Sequence, residues 1–209
     1  MKAVAVVPAK KELRLVDHPM PQINGGNQIK VQTLDVGICG TDREICTFVY
    51  GSPPEGDDYL VLGHESLGRV VEVGDNVTRL NVGDLVVPSV RRPCSDPNCN
   101  PCCKDKQDYC INGQFTERGI KEVHGFMTEF YVDDEKYFTH VPEDLRELAV
   151  MAEPLTIAEK GLAQAYAVQQ RLPWACTEPG KPKGHGLRAV VLGAGPIGIL
   201  GAMKCVVEG

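Results

Sequence analysis

The chain has 209 residues, 43% of them hydrophobic, enough to bury one good core and to begin a second. Its net charge is −6 with no basic block, which argues against the phosphate-neutralising surface of a nucleic-acid binder. No stretch approaches the ~18 apolar residues needed to span a bilayer, and the apolar run at the N-terminus is too short for a signal peptide. The expectation is a soluble, cytoplasmic protein without a membrane or nucleic-acid partner.

Residues 1–36 read as short strands over 3–7, 13–16 and 28–34, punctuated by turns at Pro19-Met20-Pro21 and Asn24-Gly25-Gly26-Asn27. Gly37-Ile38-Cys39-Gly40-Thr41-Asp42 interrupts them. Cys39 fits a small buried residue, and equally a thiolate, the soft donor that Zn²⁺ prefers. Thr41 fits a helix N-cap, or a hydroxyl that hydrogen-bonds an alcohol held on a metal, and the two are compatible. Asp42, Arg43 and Glu44 read as a solvated helix start.

Gly63-His64-Glu65 then sets an imidazole and a carboxylate side by side, ahead of an alternating stretch over 69–77. Alone, such a pair reads as packed or surface residues. With Cys39 and with Glu153 of Met151-Ala152-Glu153-Pro154, it offers the donors of an open zinc site. A turn at Asn81-Val82-Gly83-Asp84 leads into a strand over 85–87. Many short strands with Gly-rich turns predict a β-barrel or sandwich.

Five of the nine cysteines fall between Cys94 and Cys110. Without a secretion signal, that clustering argues for metal rather than disulfides. Cys94-x4-Cys99-x2-Cys102-x7-Cys110 suits a closed tetrahedral structural zinc site, with Cys103 a spare that competes with Cys102. A zinc ribbon that reads nucleic acid is the rival, and the acidic balance weighs against it.

Strand-like alternation returns over 125–132 and 137–142, where the aromatics read as core. Residues 142–145 open a helical segment. A longer helix over 154–170 carries a stripe of Leu155, Ala158, Leu162, Ala165 and Tyr166. After a connection over 171–188, an apolar strand over 189–192 runs into Gly193-Ala194-Gly195-Pro196-Ile197-Gly198, which opens an amphipathic helix. Strand, G-x-G-x-x-G and helix in that order read as a dinucleotide pyrophosphate site. The residue that would read the ribose, about twenty positions on, falls beyond Gly209. The expectation is therefore a piece of a longer chain.

Residues 63–77 fit the pattern G-H-E-x2-G-x5-G-x2-V. With Cys39-Gly40-Thr41-Asp42, the four-cysteine stretch and the loop over 193–198, the chain resembles the zinc-dependent medium-chain dehydrogenases from end to end. Within them it is most similar to the zinc-dependent glucose (aldose) 1-dehydrogenases. The stretches that carry this finer likeness are 37–44, 60–65, 90–93, 124–127 and 153–160.

The resemblance implies an α+β to α/β fold. A GroES-like β-barrel catalytic domain would cover 1–153, with a structural-zinc lobe at about 93–111. An interdomain helix, a linker and the first βα unit of an incomplete Rossmann domain would cover 154–209. By position, Cys39 and His64 are catalytic-zinc ligands, Glu65 is a ligand that exchanges with water, and Glu153 is a third ligand or a substrate contact. Cys94, Cys99, Cys102 and Cys110 hold the structural zinc. Thr41 and Glu117 are sugar-binding positions, and Gly193, Gly195, Pro196, Ile197 and Gly198 hold NADP or NAD.

The implied reaction is hydride transfer from C1 of glucose or a related aldose to NAD(P)+, giving the aldonolactone, in a homo-oligomer when full-length. The rivals are a polyol, threonine or simple alcohol dehydrogenase of the same superfamily, and a zinc-binding module without activity. The chain departs from the pattern in three places. The first two lobe cysteines commonly have two residues between them rather than four. Val90 and Ile157 stand where some sugar dehydrogenases carry polar residues. Glu44 stands where many alcohol dehydrogenases have a relay histidine, which makes a proton exit through Glu44 a hypothesis.

Overall fold

Alternating residues at the N-terminus form β1 (Lys2–Val7), which a tight 3-10 turn at Pro8–Lys10 reverses into the antiparallel β2 (Glu12–Asp17). The computed structural model describes residues 1–176 and 178–209. In chain order there follow β3 (Gln28–Val36), α1 (Gly40–Ile45), β4 (Leu60–Val61), β5 (Ser66–Val73), β6 (Leu85–Pro88) and β7 (Arg91–Arg92). Then come β8 (Thr116–Arg118), β9 (Glu122–Val123), β10 (Phe130–Asp134), β11 (Phe138–Val141), α2 (Ala152–Gln169) and α3 (Pro196–Glu208). The chain divides into two units, Met1–Val150 and Met151–Gly209.

The first unit holds three small sheets, ordered β2-β1-β4, β10-β3-β5-β6-β11 and β7-β8-β9. Its main core lies on the five-stranded sheet, where Ile29, Val31, Val70, Val86, Phe126, Tyr131 and Phe138 are all buried. The Phe126 and Tyr131 rings sit 4.6 Å apart and tilted, a geometry that adds a specific attraction to the apolar burial. Burying each such side chain contributes about 1.5–3 kcal/mol. A second cluster of Val6, Ile45, Leu60, Leu62 and Ile120 lies under α1 and receives the half-buried Phe48 and Val90.

Register places the site. β3 and β5 pair antiparallel, with Val36 opposite Ser66, and a bulge between Thr33 and Asp35 bends the end of β3. The chain leaving β3 and the chain entering β5 are therefore neighbours. Cys39 follows the first and His64-Glu65 precedes the second, so two stretches far apart in sequence arrive together.

In the second unit, α2 buries Pro154, Ala158 and Tyr166. Of the predicted stripe, Leu155 and Leu162 are half-buried and Ala165 is exposed. Lys204 of α3 reaches Glu159 of α2 at 3.1 Å and Glu208 at 3.0 Å. The strand expected over 189–192 does not form. Its residues join no ladder, and Val190 and Leu192 are 84% and 93% exposed. A parallel strand exists only through hydrogen bonds to neighbours, and among the described residues this one has none. No described helix is long and apolar enough to cross a membrane.

A histidine pair supports the segment that leads to His64. Val61 of β4 donates its N–H to His124 Nδ1 (3.2 Å), so the ring proton sits on Nε2, facing Asp57 Oδ2 at 2.9 Å. Tyr59 stacks on the His124 ring and bonds His18 Nδ1 at 2.8 Å. Burial pushes the pKa of His124 down against the pull of Asp57, with Arg118 acting the same way as burial. His18 is lowered too, by burial first and then by His124 and the N-terminal ammonium, again against Asp57. A histidine with a depressed folded pKa binds protons better when unfolded, so its contribution is present above its ordinary pKa and lost on acidification. The urea midpoint of unfolding is expected to fall as pH drops below about 6.5, and less steeply in His124→Gln. An identical pH slope in the variant would contradict this assignment.

Candidate functional site

Cys39 caps α1: its backbone N–H donates to Asp42 Oδ2 at 2.8 Å. The N-cap is thus Cys39, and Thr41 lies within the helix, with its hydroxyl 3.7 Å from Cys39 Sγ. The other Asp42 oxygen, Oδ1, faces His64 Nδ1 at 3.5 Å, with side chains 4% and 5% exposed. Asp42 is therefore not part of a solvated helix start. It is buried between two groups, the Cys39 amide, which it bonds, and the His64 ring, whose Nδ1 it faces without a hydrogen bond. With a proton on Nδ1 facing this carboxylate, Nε2 would be the nitrogen open to a metal, the usual device for orienting a ligating imidazole.

The donor atoms of Cys39, His64 and Glu65 lie within 4.8 Å of one another. Burial opposes a charge on His64, but Asp42 and Cys39 outweigh it and push its pKa up to about 9. Burial pushes the Glu65 carboxyl up, with Asp42 adding to the rise and His64 and Cys39 opposing it. A metal ion bound here would displace the proton that the raised pKa of His64 retains. Thiolate, imidazole and carboxylate form a zinc donor set with room for an exchangeable ligand.

Gly37 shapes this cluster. Its N–H donates to the Glu65 carbonyl at 3.0 Å, and a Cβ at Gly37 would overlap the Glu65 carboxylate.

The sulfurs of Cys94, Cys99, Cys102 and Cys110 form a second group within 4.8 Å of one another, with Cys99 and Cys110 at 3.9 Å. Burial pushes the Cys102 thiol up to about 12. Burial also opposes ionising Cys110, but hydrogen bonds from Cys102 and the Asn112 backbone outweigh it and bring the value down to about 7. Four thiols in this state fit a closed tetrahedral metal, which takes all four as thiolates. Cys103 is exposed, with its sulfur 3.4 Å from the Pro97 carbonyl, on the other side of the 3-10 turn at Cys102–Lys104. It does not join the group.

Glu117 sits on β8, directly opposite Arg91 of β7. Its Oε1 accepts from Arg91 Nε at 2.9 Å and Nη2 at 2.7 Å. Two residues on, Gly119 packs so tightly on Gly63 that a Cβ would overlap the Gly63 backbone. This contact carries the Glu117 strand up to the loop that holds His64.

In the second unit, Gly193 has a φ of +109°, and a Cβ on Gly198 would overlap its carbonyl. Gly195 starts α3 and Pro196 occupies the first turn, as in a pyrophosphate loop. Ile197 lies in that turn, 44% exposed. Glu153 lies in the first turn of α2.

Sequence reasoning missed Asp42 and Arg91. The spacing from Cys39 to Asp42, an N-cap and its third helical residue, is the signal that would have found the first. Nothing local marks Arg91, whose role arises from cross-strand register.

Gly37→Ala is expected to displace the Glu65 carboxylate and weaken metal binding at the Cys39 cluster while sparing the cysteine lobe. Elemental analysis after limited chelation reads this, and unchanged metal content would contradict it. Cys102→Ser is expected to remove the lobe metal and Cys103→Ser to retain it. The opposite pattern would reassign the ligand.

Residues 25–143 match the family model for the alcohol dehydrogenase GroES-like domain. The chain is 43% identical over 204 residues to a glucose 1-dehydrogenase of Methanocella arvoryzae, covering 97% of this chain and 54% of the relative. It is 45% identical over 206 residues to glucose 1-dehydrogenase 1 of Vulcanisaeta moutnovskia, with the same coverage. A solved structure of Haloferax mediterranei glucose dehydrogenase in complex with NADP, Zn and gluconolactone matches with a TM-score of 0.75 and 40% identity, over 84% of this chain and 48% of that one. The chain spans about half the length of the curated relatives it matches. With its family model, these relatives and a fold that carries both cysteine-containing clusters, the chain belongs to the alcohol dehydrogenase GroES-like family, within the zinc-dependent medium-chain dehydrogenases.

Proposed function

We propose that this chain forms the zinc- and substrate-binding part of an NAD(P)-dependent aldose 1-dehydrogenase. The observation that carries the reading is the Cys39–His64–Glu65 cluster, with the Thr41 hydroxyl 3.7 Å from Cys39 Sγ. The names of the relatives support glucose as the aldose, and the gluconolactone of the Haloferax mediterranei complex is the oxidation product expected of C1.

Cys39, His64 and Glu65 would hold a zinc ion, which would supply Lewis acidity that favours ionisation of the C1 hydroxyl. Before it ionises, that hydroxyl donates its hydrogen bond to the Thr41 hydroxyl, which orients it. Asp42 keeps the His64 ring turned so that Nε2 faces the centre. Glu117 reads a sugar hydroxyl, and a substrate lacking that group would forgo a hydrogen bond to the carboxylate that Arg91 holds in place, which is how such a site discriminates. The backbone of the 193–198 loop, at the N-terminus of α3, is shaped for the cofactor pyrophosphate. Val90 does not weigh against a sugar, because it packs on the Val6–Ile45–Leu60 cluster.

Metal content per chain tests the reading first. Wild type is expected to hold two zinc and Cys39→Ala one. One zinc in both, or none in either, would remove the catalytic centre. The zinc-loaded chain is then expected to bind glucose in preference to sorbitol and to ethanol. Preference for either alcohol would favour a polyol or simple alcohol dehydrogenase instead.

A further inference from the structure

Glu117 is held by a side chain that also holds the four-cysteine lobe. Arg91 uses Nε and Nη2 on Glu117 Oε1, and its remaining nitrogen, Nη1, donates to Asp108 Oδ1 at 3.1 Å. Asp108 lies in the 3-10 turn at Gln107–Tyr109, just before the lobe thiol Cys110. Gln107 of the same turn donates its Nε2 to the Arg91 carbonyl at 3.3 Å. Phe115, where the chain leaves the lobe, lies under the guanidinium at 4.3 Å, with Lys121 Nζ 4.4 Å from the same ring.

A guanidinium is a rigid plane with its donors in fixed directions. It cannot turn to follow Asp108 and Phe115 without moving the two hydrogen bonds on Glu117. Arg91 and Glu117 are also only partly open to solvent, at 29% and 11% side-chain exposure, so water does not readily replace these bonds. The cross-strand register that sets Arg91 opposite Glu117 completes the link between the lobe and the carboxylate.

We propose that Arg91 is a positioning residue, which aims the Glu117 carboxylate at the sugar and makes aldose binding depend on the order of the four-cysteine lobe. The inference rests on the reading that Glu117 contacts the substrate. The lobe would then be more than a staple for a segment too small for its own core. It would set the geometry of a specificity residue that it does not itself touch. A purely structural Arg91 would hold the lobe to the sheet, with no coupling between substitutions in the lobe and the sugar.

The test uses the zinc-loaded chain and D-glucose, with affinity read by ligand-observed NMR and folding checked by circular dichroism and by two zinc per chain. Glu117→Gln is expected to weaken glucose roughly tenfold, the scale of a lost hydrogen bond to a charged group. Asp108→Asn, which keeps the size of the side chain and removes its charge, is expected to cost about threefold, within the range of a partly exposed ion pair. Arg91→Lys, which keeps the charge and loses the fork, is expected to cost more than Asp108→Asn.

The decisive reading is the double substitution. Once Glu117 is Gln, Asp108→Asn should have no further effect, because its action runs through that carboxylate. By reciprocity, glucose should reduce zinc loss from the lobe to a chelator in wild type and not in Glu117→Gln. Additive effects, or loss in Glu117→Gln with none in Asp108→Asn and Arg91→Lys, would overturn the positioning role alone. Unchanged glucose affinity in Glu117→Gln would overturn the substrate assignment of Glu117, a separate failure. Absence of glucose binding to zinc-loaded wild type would overturn both.

Discussion

Three stretches of backbone meet at Gly63 with almost no space between them, and the geometry of the first unit depends on that contact. Gly63 has a φ of +91°, and a Cβ on either Gly119 or Gly125 would overlap its backbone. Hydrogen bonds from Gly125 to Val61 (2.8 Å), Phe126 to Gly63 (2.9 Å) and Met127 to Leu62 (2.9 Å) hold the stretches together. His64 and Glu65 follow directly. The loop that presents two metal donors is therefore fixed by main-chain contacts, with little left to side-chain packing. Only glycine allows this approach, which explains three glycines spread over sixty residues of sequence.

Charge finishes what the backbone begins. Asp133 takes Arg92 at 2.8 Å and Arg118 at 2.5 Å, and Arg118 also donates to the carbonyls of His124 and Val132. Burial would raise the Asp133 pKa, but the two guanidinium groups more than offset it and hold the carboxyl below its usual range. Buried ions are tolerated when fully paired, and here the pairing pins β8 from one side while Arg91 holds it from the other. Glu117 lies between these two anchors, on a strand of three residues that could not hold a fixed place by its own ladder.

Much of this was legible in the chain. The cysteine spacing announced a tetrahedral cluster, because four thiols on a short Pro- and Asn-rich excursion have little else to do. The strands of the first unit were visible as alternation, and Cys39, His64 and Glu65 as donors of suitable chemistry. Two kinds of feature were not. Asp42 looked like a solvated helix start, since its sequence neighbours are charged and its burial comes from His64, which is remote in sequence. Arg91 is silent for the same reason: its partners Asp108, Phe115 and Glu117 are joined to it by register and by the path of the lobe. The choice of Cys102 over Cys103 was also beyond spacing, because adjacent residues in a 3-10 turn point to different sides. The strand over 189–192 failed differently. Its composition is that of a strand, but strand formation is a property of a sheet and not of a segment.

That difference separates the two units. The first carries its own core, and both clusters of residues that could hold a metal lie within it, so their geometry is a local property of residues 1–150. In the second, α3 buries none of its side chains and leaves Met203, Val206 and Val207 open, while the loop over 193–198 keeps its tight glycine turn. A glycine turn at a helix N-terminus is encoded locally, by φ and by close backbone approach, and forms without a sheet. The sheet that would bury the strand before it and the helix after it takes several parallel strands. The contacts that position the two donor clusters and Glu117 close within the first unit. The turn over 193–198 needs no such sheet, because its shape comes from the φ of Gly193 and the close approach of Gly198 to the Gly193 carbonyl.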